Sequence, residues 1–289
     1  MGPAPPARAA VHPTHRPRRR RCVVRVRPAA VAGTFYPDEP AILARVVDDL
    51  LTEAARQVRT VPADTTPPKA LIAPHAGYVY SGPVAASAYQ RLVPVADRIE
   101  RVVLLGPAHR SPMRTMALSS ADAWATPLGE VPIDAAGRAR LAEAGVPVDD
   151  RAHAQEHSLE VHLPFLQRAL TGPFTLLPIV VGWATPDAVA DVLDRVWGGP
   201  ETLVVVSTDL SHYHPYDEAA ALDHRTAAAI VARSVEVVPD EACGAHPVTG
   251  LLAAAQRHDL RVELLDLRSS GDTAGPRDQV VGYGAFVLT

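Results

Sequence analysis

The chain has 289 residues, 47% of them hydrophobic, enough to bury one large core or two smaller ones, and its formal net charge is −4. Residues 1–28 hold eight arginines and no acid, so the remainder carries −12, a balance that argues against a nucleic-acid-binding body. No apolar run reaches the roughly 18 to 20 residues that cross a bilayer, and two cysteines cannot build a disulfide framework, so a cytoplasmic protein without a membrane partner is expected.

Residues 1–28 contain Met1-Gly-Pro-Ala-Pro-Pro and His15-Arg-Pro-Arg-Arg-Arg-Arg21, too rich in proline and arginine to bury apolar surface, and are expected to form a disordered tail. Charges interrupt Cys22-Val-Val-Arg25 too soon for an export signal. Residues 29–289 are expected to make a single domain. Within it, apolar residues at 42, 43, 46, 47, 50 and 51 have helical spacing, with Pro40 suited to the first turn. Residues 62–68 read as a surface loop. Runs with the length and composition of buried strands follow at 70–73, 102–105, 115–118, 174–181, 202–206, 261–267 and 280–288.

Between them, alanine-rich segments at 83–93, 135–144, 186–197, 217–233 and 247–257 are compatible with helices. Thr185 or Asp187, and Asp240 or His246, are candidate caps. Ser158 to Leu170 also has helical spacing, but Pro164 requires that helix to start late or kink. The alternation implies an α/β fold with a mostly parallel sheet and helices on both faces.

Five segments carry residues suited to chemistry: Pro74-His75-Ala-Gly-Tyr78, Gly106-Pro-Ala-His109, Glu156-His157-Ser158-Leu-Glu160-Val-His162, Ser207-Thr-Asp209-Leu-Ser-His212, and Cys243-Gly-Ala-His246-Pro247. Imidazole and thiolate together suit iron, copper or zinc, whereas magnesium and calcium prefer oxygen. Each has a plain structural alternative. An isolated histidine at a strand end is commonly a hydrogen-bonded framework residue, a lone cysteine a small buried hydrophobe, and Asp209 a helix cap. Tyr78, between the flexible positions Gly77 and Gly82, is a candidate donor into a pocket. His157 either lines that pocket or joins Glu156 and Glu160 in a polar helix start. His246 either faces a metal or only opens a helix, and His162 reads as structural.

In this order and spacing the five segments resemble the Memo family, whose prokaryotic members are termed component B of the AmmeMemoRadiSam system. The resemblance runs from Val31-Ala-Gly-Thr-Phe-Tyr-Pro37 through Ser270-Gly-Asp272 to Val280-Val-Gly-Tyr-Gly-Ala-Phe286. It implies the three-layer α/β/α fold of class III extradiol dioxygenases, metal ligation by His75, His109 and Cys243, and pocket roles for Asp209 and His212, with His212 matching the acid/base histidine of those enzymes. The dioxygenases use two histidines and a carboxylate on iron(II), so cysteine in the third place departs from them. Iron(II) or copper ahead of zinc is the expected cofactor, with dioxygenase-like redox chemistry on an unidentified small molecule and a link to a radical S-adenosylmethionine protein. Two rival readings follow: a non-catalytic peptide-binding module, with Arg110 as phosphate partner, and a zinc-dependent hydrolase.

Overall fold

The computed structural model describes residues 1–2, 24–57 and 67–289. In chain order the elements are β1 (Val26–Arg27), α1 (Pro40–Gln57), β2 (Ala70–Ala73), α2 (Tyr78–Tyr89), β3 (Arg101–Pro107), β4 (Met116–Leu118), β5 (Ala123–Thr126) and β6 (Gly129–Pro132). Then come α3 (Ala135–Glu143), α4 (Asp150–Ala154), α5 (Leu163–Ala169), β7 (Thr175–Val181), α6 (Pro186–Val196), β8 (Thr202–Ser207) and β9 (His212–His214). The last are α7 (Tyr216–Val231), α8 (Ala245–Arg257), β10 (Val262–Ser269), α9 (Ser270–Thr273) and β11 (Val280–Leu288). No helix among the described residues is long and apolar enough to cross a membrane.

The main sheet has the order β10-β11-β2-β8-β3-β7-β4, with β9 pairing against β11. Its four central strands, β2, β8, β3 and β7, are parallel, and the pairings outside them are antiparallel. Successive residues of a strand face opposite sides of a sheet, and both sides are covered. Val102 and Leu104 of β3 join a core with α1, α2 and α5, while Val103 and Leu105 join a second core with α6, α7 and α8. Near-continuous apolar strands are what burial on both faces demands, and the chain has the three-layer α/β/α architecture.

Several sequence expectations change in detail. The helix expected from 83 begins at Tyr78, because Gly77 ends the preceding turn and five more residues fit the helical path. Thr185 caps α6 by accepting from the Ala188 N–H, whereas α8 starts after Gly244, so neither Asp240 nor His246 caps it. Pro164 stands in the first turn of α5, where its missing N–H costs nothing, after a 3-10 turn at Glu160–His162. A second small sheet, β1-β5-β6, was not anticipated.

That small sheet also moves the expected domain boundary. Most of the proposed tail, and residues 58–66 of the loop region, lie outside the described residues. Val26 and Arg27, however, pair with Ala123 and Trp124, and Arg27 is buried. Its guanidinium donates to Glu160 Oε2 at 2.6 Å and to the carbonyls of His153 and Glu156 at 2.8 Å, and it stacks over Trp124. The folded unit therefore starts before residue 28, since a buried cation with these partners is part of the core.

Candidate metal centre

The neighbouring strands β2, β8 and β3 end at one edge of the sheet, and their following turns carry His75, Asp209 and His109. Loops at the carboxyl ends of parallel strands are the usual place for ligands in α/β folds. Cys243 arrives from the segment before α8. Its neighbour Gly244 passes so close to β8 that an added Cβ would lie 2.4 Å from the Ser207 carbonyl oxygen. One ligand atom each from His75, His109 and Cys243 then lies within 4.8 Å of the others.

Hydrogen bonds fix which imidazole nitrogen each histidine presents. The Ser207 hydroxyl donates to the Ser158 carbonyl at 2.6 Å, so its oxygen accepts from His75 Nδ1–H, also at 2.6 Å. This leaves the unprotonated Nε2 of His75 facing Cys243 Sγ at 3.4 Å. His109 Nδ1 lies 3.0 Å from Oε1 of the fully buried Glu156. Glu156 also accepts from the backbone N–H groups of His109, Arg110, His157 and Ser158. Burial alone would raise its pKa, but the bonds from His109 and the backbone bring it down to about 2. An ionised Glu156 takes the Nδ1 proton of His109 as a donor and leaves Nε2 free to ligate. Carboxylate or hydroxyl partners on the far nitrogen are the usual way proteins orient metal-binding histidines.

His109, Glu156 and His157 also place ligand atoms within 4.8 Å. They do not make a second metal site, because the carboxylate's roughly four lone-pair positions are already taken by N–H donors. The group orients His109.

His75 is buried and held neutral well below the usual histidine range by burial and then by the surrounding histidines, so its 4.0 Å approach to Asp209 is not an ion pair. Asp209 accepts from the His75 backbone N–H at 2.8 Å, and burial lifts its carboxyl to about 7 despite that bond. Its own N–H donates to Cys243 Sγ at 3.3 Å. Burial, reinforced by Asp209, pushes the Cys243 thiol up. A cation at this point would reverse that preference, since metal coordination deprotonates thiols. Three soft or borderline donors with their remaining hydrogen bonds satisfied therefore fit a transition metal.

These groups open onto a cleft of about 1030 Å³ that also takes in His157, Arg110 and His212. His212 gives Nδ1–H to the Leu210 carbonyl at 2.8 Å, and burial lowers its pKa. His157 stacks on His109 at 4.9 Å between ring centres and packs against Phe35. Burial lowers the His157 pKa to about 4 although Glu156 opposes the shift.

Two residues expected in the pocket lie elsewhere. Tyr78 is buried, gives its hydroxyl to the Val161 carbonyl at 2.6 Å and packs on Phe165, because the first turn of α2 directs it inward. Tyr80, two residues on, lines the cleft instead. His246 lines an adjoining cavity on the other side of Cys243. His162 is structural as read, with Nδ1 2.8 Å from the Tyr89 hydroxyl. Ser207 and the orienting role of Glu156 went unrecognised, although the density of polar residues from 156 to 162 inside an apolar region was a signal for the latter.

A family profile described as Memo-like protein matches residues 27–287. A MEMO1 family protein of Aquifex aeolicus is 38% identical over 92% of this chain and all of its own length. Others from Sulfolobus acidocaldarius and Methanopyrus kandleri are 34% and 37% identical, covering 89% and 91% of this chain and 97% and 98% of theirs. Among solved structures, an uncharacterized protein of Escherichia coli K12 aligns with a TM-score of 0.48 and 15% identity, over 74% of this chain and 98% of that one.

Proposed function

The chain belongs to the Memo family, and from that membership and the geometry of the cleft we propose that it is a metalloprotein that performs redox chemistry on a small molecule, holding iron(II) or copper through His75, His109 and Cys243. The observation that carries the reading is the pair of oriented imidazoles: Ser207 and Glu156 each engage one Nδ1, His75 Nε2 is left 3.4 Å from Cys243 Sγ, and a ring nitrogen of His109 lies within 4.8 Å of the His75 and Cys243 ligand atoms. Imidazole with thiolate favours these metals over magnesium or calcium. Such a metal, when bound, would supply Lewis acidity and an electron-transfer centre.

The remaining roles belong to the chain's own side chains. His212, with Nδ1 committed to Leu210, presents Nε2 as an acceptor for a substrate hydroxyl proton, and its lowered pKa keeps it unprotonated near neutrality. Asp209, with a pKa of about 7, holds or releases a proton next to His75. Arg110 at the cleft attracts an acidic substrate. Its guanidinium also favours the second reading, a pocket that holds an acidic peptide group without turnover.

Protein purified anaerobically without added metal, analysed by mass spectrometry beside His75→Ala and Cys243→Ser, tests the proposal. Near-stoichiometric iron or copper that both variants lose is the expected result. Zinc in that place would support the hydrolase instead, and failure to take up any metal after reconstitution would leave the peptide pocket.

A further inference from the structure

Three non-glycine residues among those described have a positive φ: Tyr213 at 62°, Arg233 at 60° and Asp259 at 53°. Two have an ordinary cause. Arg233 and Asp259 follow Ala232 and His258, the capping residues of α7 and α8, where a left-handed residue commonly closes a helix. Tyr213 closes none. It stands in β9 between His212 and His214, and for so bulky a side chain that backbone region is a genuine outlier.

Strand pairing accounts for the backbone and leaves the choice of tyrosine to be explained. Val280 and Val281 of β11 pair with His214 and His212, so one step along β11 spans two along β9, and Tyr213 is the extra residue of a β-bulge. Bulges re-aim side chains beside functional sites, and glycine would make this one without steric cost. Packing gives the tyrosine little in return, because it is 69% exposed. Its ring lies 5.7 Å from that of His212, centre to centre, at 67°. It lines the metal cleft together with Tyr80, Asp209 and Tyr283. Burial raises the pKa of the Tyr283 hydroxyl, and Asp209, Tyr80 and Tyr213 add to the shift, so the Tyr213 phenol is within electrostatic reach of the inner wall of the cleft. A large side chain kept on strained backbone, at the mouth of a site and without burial, points to a task in that site.

We propose that Tyr213 is a specificity-determining residue of the cleft, its ring stacking on a flat, unsaturated group of the substrate beside His212. The inference rests on the reading of this cleft as the substrate site and adds that the site selects planar groups over puckered ones. It does not depend on a bound metal.

Benzoate and cyclohexanecarboxylate carry the same charge toward Arg110 and differ in being flat or puckered, so they serve as probes. Ligand-observed NMR titrations of the metal-free full chain should show saturable binding, with benzoate the tighter. Tyr213→Leu should lower the ratio of benzoate to cyclohexanecarboxylate affinity about two- to tenfold, the worth of one aromatic pair, and Tyr213→Phe should keep it. Tyr213→Gly should lower the ratio as leucine does, while its thermal midpoint holds or rises by up to about 4 °C, since glycine adopts this φ freely. Earlier melting of Tyr213→Gly would show that the ring serves the fold and would overturn the proposal. So would equal ratios in wild type, Tyr213→Leu and Tyr213→Gly, or a wild-type chain that does not favour benzoate. The ratio is read without metal, so a failure of the redox reading in the metal analysis leaves this result standing.

Discussion

Glu156 Oε1 and His109 Nδ1 stand 3.0 Å apart, and the carboxylate that makes this contact is fully buried while accepting four backbone N–H groups from the same turn and the turn after β3. One residue thus shapes two loops and sets the tautomer of a proposed ligand. Glu156→Gln puts an amide donor where an acceptor is needed, so His109 loses its orienting bond. Metal affinity should fall about 10- to 100-fold, read by competition with a chromophoric chelator, and unfolding free energy by about 1–3 kcal/mol. Unchanged affinity would show that His109 is not a ligand or needs no orientation.

The strands and helices were legible because burial on both faces writes long apolar runs, as in residues 174–181 and 202–206, and because helical spacing survives around Pro40 and Thr185. The candidate ligands His75, His109 and Cys243 were legible through motif order, and the three come together at the sheet edge. Less visible was anything fixed by a through-space partner. Ser207 looks like the last residue of a strand until Ser158 takes its proton and His75 its lone pair. Tyr78 and Tyr80 differ only in which way one helical turn points them. Arg27 sat in an arginine-rich tail, and its distant partners, among them Glu160 133 positions away, show that it is core.

That buried pair gives a stability prediction. Glu160 also accepts from the N–H groups of Ala30 and Val31 and from the Tyr36 hydroxyl, so it ties the whole entry segment to the turn that carries Glu156. Arg27→Met leaves its charge uncompensated in the core and should cost about 3–5 kcal/mol in urea unfolding. The double variant Arg27→Met, Glu160→Gln should recover part of that loss. A single variant as stable as wild type would return residue 27 to the tail.

The pH dependence of stability has a specific source in His162. Burial lowers its pKa to about 3, against 6.5 for an ordinary histidine. The unfolded chain therefore takes up this proton first as pH falls, and the native state loses stability through the window from about 6.5 down to about 3. The contribution is fully present above 6.5, and its slope is at most about 1.4 kcal/mol per pH unit. His162→Leu removes the titrating group, so its unfolding free energy should fall less steeply than that of wild type between pH 6 and 4, whatever its absolute stability. Parallel curves would mean that His162 is not what titrates.

Gly244 joins the framework to the site most directly. It follows the candidate ligand Cys243, and the chain there packs against β8 with its own N–H donating to Thr208 Oγ1 at 2.9 Å. A methyl group at this position would meet the Ser207 carbonyl at 2.4 Å and the Thr208 side chain at 2.7 Å, one of them backbone and unable to yield. The segment must then lift off the strand end, and Sγ moves away from His75 Nε2. Overpacking of this kind costs typically about 1–3 kcal/mol. For Gly244→Ala the expected signature is a modest stability loss with metal affinity reduced at least as much as in Glu156→Gln. Gly250→Ala, where an added Cβ would clash with Val189 between α6 and α8, serves as the control. It should lose stability while holding metal as wild type does, because its helix contact lies away from the ligands. Equal metal loss in both variants would show that general destabilisation, rather than the approach of Cys243 to β8, governs the site.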